Sequence, residues 1–304
     1  MSKRTLYILG IALTIFLGSY MYPKFCCNGD SGKSIETVNP VLIDEIGKVN
    51  YNMFNLSGEN FNYSCNENFK FLSNGFNNAQ PVNDSINMGI RQLKSYFDKN
   101  GNQKLIITGY ALNSEKNTSA FPNLGLARAN DLKNYFISKG FDASKFETLG
   151  ELRDTWRVSN DTVYGAAGFR IKQTTEIASE KLKDWNALKE KINANPLILY
   201  FNTNQTEINL TPEERQKIAD LSNYLDHVPD AKITCVGHTD NVGNRDVNIN
   251  LGQNRANFIK NYLSKNGISD NRIESTSKGP DEPIADNNSA EGKTKNRRTV
   301  VNLK

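Results

Sequence analysis

The chain has 304 residues, 37 Lys and Arg against 33 Asp and Glu, and a formal net charge of +4. That near balance, with no Lys/Arg block, argues against a nucleic-acid partner, while the length has room for two domains. Four cysteines without metal-site spacing, and two histidines, His227 and His238, without a Ser, Cys or metal-ligand partner at a catalytic spacing, argue against an enzyme; no cofactor is implied.

Residues 6–22, LYILGIALTIFLGSYMY, are uncharged and mostly apolar, at the short end of the about 17–25 residues a bilayer-spanning helix needs. Lys3 and Arg4 precede the run, so residues 1–22 read as a cytoplasmic tip and a transmembrane signal anchor, with the bulk of the chain on the far side. A cleaved signal peptide shares the basic start and apolar core. The bulky Tyr20, Met21, Tyr22 and Pro23 offer no small-x-small cleavage site, however, and Cys26 follows Lys24 and Phe25 instead of the small residues of a lipoprotein site. An uncleaved anchor is therefore expected. No ionisable group lies between Leu6 and Tyr22, which argues against a proton path through this segment. Residues 23–49 are polar and rich in Gly, Asn and Lys, a juxtamembrane linker that stretches to about 90 Å at about 3.3 Å per residue. Cys26 and Cys27 lie in it, as free thiols or as cross-links between chains.

Residues 50–172 form the first predicted domain. Within 173–195, the segment Glu176–Asn195 predicts a helix, because Ala178, Leu182, Trp185, Leu188 and Ile192 recur at spacings of three and four. Pro196 stops it. Such a helix either packs on a neighbouring domain or forms a coiled-coil contact in a dimer.

Residues 196–304 form the second predicted domain, with strands near 197–201, 231–237, 271–277 and 298–303, and helices near 212–226, 247–266 and 288–295. Thr211-Pro212-Glu213-Glu214 is a strong helix start, with a hydroxyl cap, Pro at the first position and acids in the first turn. Cys235 falls on a core strand, where a lone thiol acts as a small hydrophobe. His238 ends that strand in a turn, where hydrogen bonding to the turn backbone is its expected duty. Asp240 follows on the turn, and Arg255 lies fifteen residues later on the next helix. A strand-to-helix crossover brings such a pair to one lip of a groove. There the carboxylate can take an ammonium and the guanidinium a carboxylate, the two ends of a small zwitterion.

Three motifs occur in this domain in order: GHTD, then N-x-x-L-x-x-x-R at Asn248, Leu251 and Arg255, then NRR at Asn296, Arg297 and Arg298. From about Pro196 to Lys304 the chain thereby resembles the OmpA-like C-terminal domain, departing from the family pattern at Asn202, Gly252 and Gly292-Lys293. The resemblance implies an α/β (α+β) fold of βαβαβ modules, each a small mixed sheet with helices on one face. It also implies non-catalytic binding of peptidoglycan through meso-diaminopimelate. By motif match, Asp240 takes the amine and Arg255 the carboxylate; Asn204, Asn248, Thr239 and Leu251 line the pocket, and Asn296 and Arg297 support its wall. With the anchor, the expected role is a tether between a membrane and the cell wall, single-pass and periplasmic, in a Gram-negative envelope. A structural or secretion-system subunit whose tandem domains meet protein partners is the alternative. A cell-wall hydrolase is a weaker one.

The first domain reads as an altered second copy. Asn-Leu-Gly-x-x-Arg-Ala-Asn stands at residues 123–130 and again at 250–257; Lys133-Asn134-Tyr135 matches Lys260-Asn261-Tyr262, and Gly140 matches Gly267. Arg128 is kept, but Ala111-Leu112 replaces Thr239-Asp240, and the NRR element has no counterpart. Without the acid, the ammonium of a ligand would be desolvated and unpaired. Loss of the ligand is therefore expected, with Asn113 or Glu115 as conceivable substitutes for the missing acid. A homodimer contact or an envelope-protein partner is the role expected instead.

Overall fold

The computed structural model describes residues 52–173, 185–202 and 209–304. The expected transmembrane segment at 6–22, the linker at 23–49, Cys26, Cys27, Asn204 and the first part of the 173–195 helix lie outside the described residues.

In chain order, the first half runs β1 (Phe54–Gly58), β2 (Phe61–Cys65), β3 (Lys70–Leu72), α1 (Asp84–Lys99), β4 (Gln103–Leu112), α2 (Leu124–Ser138), β5 (Phe146–Arg153), β6 (Val158–Ser159), β7 (Thr162–Tyr164) and β8 (Ala167–Gln173). The second half follows with α3 (Trp185–Ala194), β9 (Leu197–Tyr200), α4 (Pro212–His227), β10 (Ile233–His238), α5 (Arg245–Lys265), β11 (Ile273–Gly279), α6 (Ala290–Asn296) and β12 (Arg298–Leu303). The chain is a mixed α/β protein.

The second half has one four-stranded sheet in the order β11-β10-β12-β9. Strands β10 and β11 are parallel, joined through α5, while β12 runs antiparallel to both β10 and β9. Helix α4 starts as its sequence dictates. The Thr211 hydroxyl accepts from the Glu214 amide at 3.2 Å, and the Glu214 carboxylate accepts from the Thr211 amide at 2.8 Å. The reciprocal bonds satisfy two donors that the first turn would leave bare. Ile218, Leu221, Ile233, Cys235, Ile259, Leu263 and Val301 meet in the core. Helix α3 packs Trp185, Leu188 and Ile192 onto that core, and the Asn193 amide exchanges two 2.9 Å bonds with the Leu303 backbone.

The first half repeats the strand–helix–strand arrangement. β4 and β5 are parallel across α2, and β8 is antiparallel on the other side of β4. Its strands do not join one sheet, as expected from the sequence, but three: β1-β2, β5-β4-β8 and β3-β7-β6. The reason is local. Asn160 and Asp161, both at positive φ (48° and 57°), form a tight turn that folds β6 onto β7, and β7 then takes the edge of β3. In both halves the central strand and its helix touch through paired glycines. A Cβ on Gly109 would lie 2.1 Å from the Gly125 carbonyl oxygen, and one on Gly237 would lie 1.9 Å from that of Gly252.

The two halves dock. Lys133 of α2, almost fully buried, reaches Asp226 of α4 at 2.5 Å. The Ala120 amide donates to Asn266 Oδ1 at 2.7 Å, Asn134 donates to the Gly267 carbonyl at 3.0 Å, and Arg215 donates to the Ser119 carbonyl.

Candidate ligand site

Arg255 projects from α5 beneath the turn that follows β10. It is 1% exposed. Its guanidinium lies 5.2 Å from the ring centroid of Phe201, just past the end of β9, a face that attracts a cation. Its hydrogen bonds are long: Nη1 to the His238 carbonyl at 3.4 Å and Nη2 to the Asn202 carbonyl at 3.5 Å. Nε has no partner. Burial lowers the guanidinium pKa, as does the neighbouring Arg297, while Asp240 pulls the other way. No carboxylate lies within ion-pair distance of Arg255 among the described residues, although a buried guanidinium ordinarily demands one.

Asp240 sits above, on the turn. Its Oδ1 accepts from the Val242 amide at 3.2 Å, and its Oδ2 accepts from Arg297 Nη1 at 3.0 Å, both side chains being 15% exposed. Arg297 also donates through Nε to the Phe201 carbonyl at 3.3 Å and through Nη2 to Thr294 at 2.8 Å. The arginine of the NRR element, expected only to support a wall, is thus the direct partner of the acid. It stands 57 residues away in sequence.

The remaining expected residues divide. Asn248 is buried and donates to the Val242 carbonyl at 3.0 Å, holding the turn. Thr239 spends its amide on the Gly279 carbonyl at 2.8 Å and its hydroxyl on the Asp240 carbonyl at 2.9 Å. Leu251 is half-buried on α5, one residue before Gly252. Asn296 is fully buried. Its Oδ1 accepts from the Ile284 and Ala285 amides, and its Nδ2 donates to Ala285 and Asn287, so it braces the 284–287 loop and has no hydrogen-bonding capacity to spare for a ligand. Asn204 lies outside the described residues. His238 departs from its expected duty: its buried Nδ1 has no partner. Burial, with Arg298 next, pushes its pKa down to about 4. Cys235 is buried in the core, and burial pushes its thiol up to about 12, an inert group at neutral pH. His227 is the last residue of α4, its Nδ1 2.9 Å from the Asn223 carbonyl and its ring stacked 4.6 Å from Trp185.

The corresponding arginine of the first half, Arg128, is also fully buried, but Glu115 grips it bidentately at 2.6 and 3.1 Å. Glu115 is therefore not a replacement for the missing acid, as the sequence suggested; it pairs with the base. Asn113, the other conceivable substitute, donates to Asp154 at 2.6 Å. Two contributors escaped the sequence reading. Phe201 falls within the strand expected near 197–201, where nothing in the pattern marks it as lying under a guanidinium. The Arg297–Asp240 pair had no local signal.

The profile described as "OmpA family" matches residues 200–297. The chain is 33% identical over 141 residues to the peptidoglycan-associated lipoprotein of Buchnera aphidicola, covering 46% of this chain and 79% of that protein. It is 35% identical over 92 residues to the peptidoglycan-binding protein ArfA of Mycobacterium tuberculosis, covering 30% of this chain and 28% of that protein. Among solved structures, the peptidoglycan-associated lipoprotein from Burkholderia pseudomallei matches at 26% identity with a TM-score of 0.34, covering 40% of this chain and 98% of that one.

Proposed function

The chain belongs to the OmpA family, and from that premise we propose that residues 196–304 bind peptidoglycan through the free end of diaminopimelate, with no catalytic step. Relatives named for peptidoglycan association and peptidoglycan binding support this reading. The observation that carries it is the state of Arg255: a guanidinium removed from water, with long bonds to two carbonyls and no carboxylate partner among the described residues. A ligand carboxylate would supply the missing charge-assisted bonds, each contributing about 1.5–3 kcal/mol. Asp240 would take the ammonium while still paired to Arg297, whose own bonds to Phe201 and Thr294 fix the acid in place. Thr239 and Asn248 shape the turn and Asn296 holds the facing loop, while Leu251 and Asn204 would line the pocket.

In this reading residues 6–22 span a membrane as an uncleaved anchor, 23–49 form the linker, 50–172 a degenerate OmpA-like domain, 173–195 a connecting helix, and the whole tethers a membrane to the wall from the periplasmic side. The internally paired Arg128 favours a partner-binding or spacing role for the first domain, as in a structural or secretion-system subunit.

Co-sedimentation of the chain with purified sacculi, competed by free meso-diaminopimelate, tests the proposal. Binding is expected for the wild type and absent in Asp240→Ala and in Arg255→Ala, each still folded. Wild-type retention of both variants would reject the assignment.

A further inference from the structure

The surroundings of Arg128 and Arg255 correspond group by group. Arg128 Nη1 donates to the Tyr110 carbonyl at 2.8 Å, where Arg255 Nη1 uses the His238 carbonyl. Arg128 Nη2 reaches the Leu72 carbonyl at 3.3 Å, where Arg255 Nη2 reaches Asn202. The ring beneath is Phe71 at 5.0 Å in one and Phe201 in the other. Tyr110 and His238 each follow the glycine that touches the helix, and Leu72 and Asn202 each follow the aromatic residue under the guanidinium.

Two differences remain: Arg128 Nε donates to the Gly75 carbonyl at 3.0 Å where Arg255 Nε has no partner, and Arg128 has a carboxylate. Four donors converge on Glu115: Arg128 Nη2 at 2.6 Å and the Asn74 amide at 3.0 Å on Oε1, Arg128 Nη1 at 3.1 Å and the Leu112 amide at 2.8 Å on Oε2. The side chains of Arg128 and Glu115 are 0% and 5% exposed. The loop that delivers Glu115 is itself pinned, because Asn74 accepts from the Lys116 amide through Oδ1 at 2.6 Å and from the Thr118 hydroxyl through its carbonyl at 2.7 Å.

We propose that the Arg128 niche is a carboxylate-binding site whose ligand is carried by the chain itself, Glu115 occupying the place a free carboxylate would take. The inference stands on the geometry of the first half; only its equivalence to the Arg255 niche rests on the function proposed above. A tethered ligand faces its site at an effective concentration that a free one matches only in the millimolar range or above, so the niche is closed to solutes while Glu115 is present. Shortening that side chain opens it. The ligand then admitted is a small monocarboxylate such as acetate, not a zwitterion, because Leu112 stands where Asp240 offers its charge.

Thermal unfolding of the full chain, with Tm as readout, tests this in the absence of cell wall, so the result holds whether or not the wall is bound. Glu115→Ala is expected to lower Tm, and sodium acetate at about tenfold excess over its dissociation constant to raise it by about 3–5 °C beyond sodium chloride of equal ionic strength. Wild type and Glu115→Gln, whose niches remain filled, should show no acetate-specific shift. If Glu115→Ala does not fold in chloride, folding in acetate alone supports the proposal. Equal behaviour of Glu115→Ala in the two salts, or an acetate shift of the same size in the wild type, overturns it.

Discussion

Arg128 and Arg255 occupy matching places on α2 and α5, yet among the described residues one has a carboxylate partner and the other does not. Around Arg128 the fold supplies a carboxylate, a short bond to Tyr110 and a bond from Nε to the Gly75 carbonyl at 3.0 Å. Around Arg255 it supplies long contacts, an unpartnered Nε and a second arginine close enough to repel. A completed buried ion pair leaves neither charge unpaired in the interior, so removing one partner is costly. An incomplete one leaves binding energy for a ligand. The contrast thus separates a niche whose buried charge is paired from the one to which ligand binding is proposed above, within one chain and on the same backbone plan.

The largest expected effect would sharpen that contrast. Arg128→Ala strands a buried carboxylate and should cost about 3–5 kcal/mol, whereas Arg255→Ala loses only weak contacts and should cost about 1–2 kcal/mol; urea unfolding of the two variants measures the gap, and equal costs would erase the distinction. Acid separates the halves next. His238 is held neutral, with a pKa of about 4 against an ordinary 6.5. Its contribution is therefore complete above pH 6.5 and is lost as pH falls through 4, up to about 3 kcal/mol. Tyr110 stands at the matching position in the first half. Unfolding followed from pH 7 to pH 4 should show the second half weakening first, and His238→Tyr should flatten the profile. A third comparison should reveal likeness. Gly109→Ala and Gly237→Ala each force a methyl onto a helix carbonyl and should each cost about 1–3 kcal/mol; a large difference in Tm loss would mean that the two strand–helix contacts are not equivalent. The smallest effect belongs to the exposed side of the site. Asp240→Asn should cost about 1 kcal/mol or less through the Arg297 pair, with the loss shrinking at high salt.

Much of the second half was legible in the sequence. The capping box at Thr211 and Glu214 and the Pro at position 212 placed α4 almost to the residue, because such signals act within one turn. Helix α5 starts at Arg245, two residues before the expected 247, because Asn244 Oδ1 accepts from the Asp246 and Val247 amides, a cap the apolar spacing does not register. The first half was legible only in outline. The repeated Asn-Leu-Gly-x-x-Arg-Ala-Asn located α2 and Arg128, but the 158–164 hairpin that takes β3 away from a continuous sheet is a matter of partner choice, which no local pattern encodes. Asp240 and Arg255 could be named from spacing and motif, while Arg297 as the partner of Asp240 could not.

By itself, the order of residues determined where the chain turns and which faces are apolar, since periodicity, caps and glycines act over a few neighbouring positions. It also marked the family through motifs in one half. The identity of each arginine's partner was decided only by the tertiary structure. Glu115 is thirteen residues from Arg128 and Arg297 fifty-seven from Asp240. Whether a buried charge is neutralised depends on which distant groups the packed backbone delivers within about 3 Å of it.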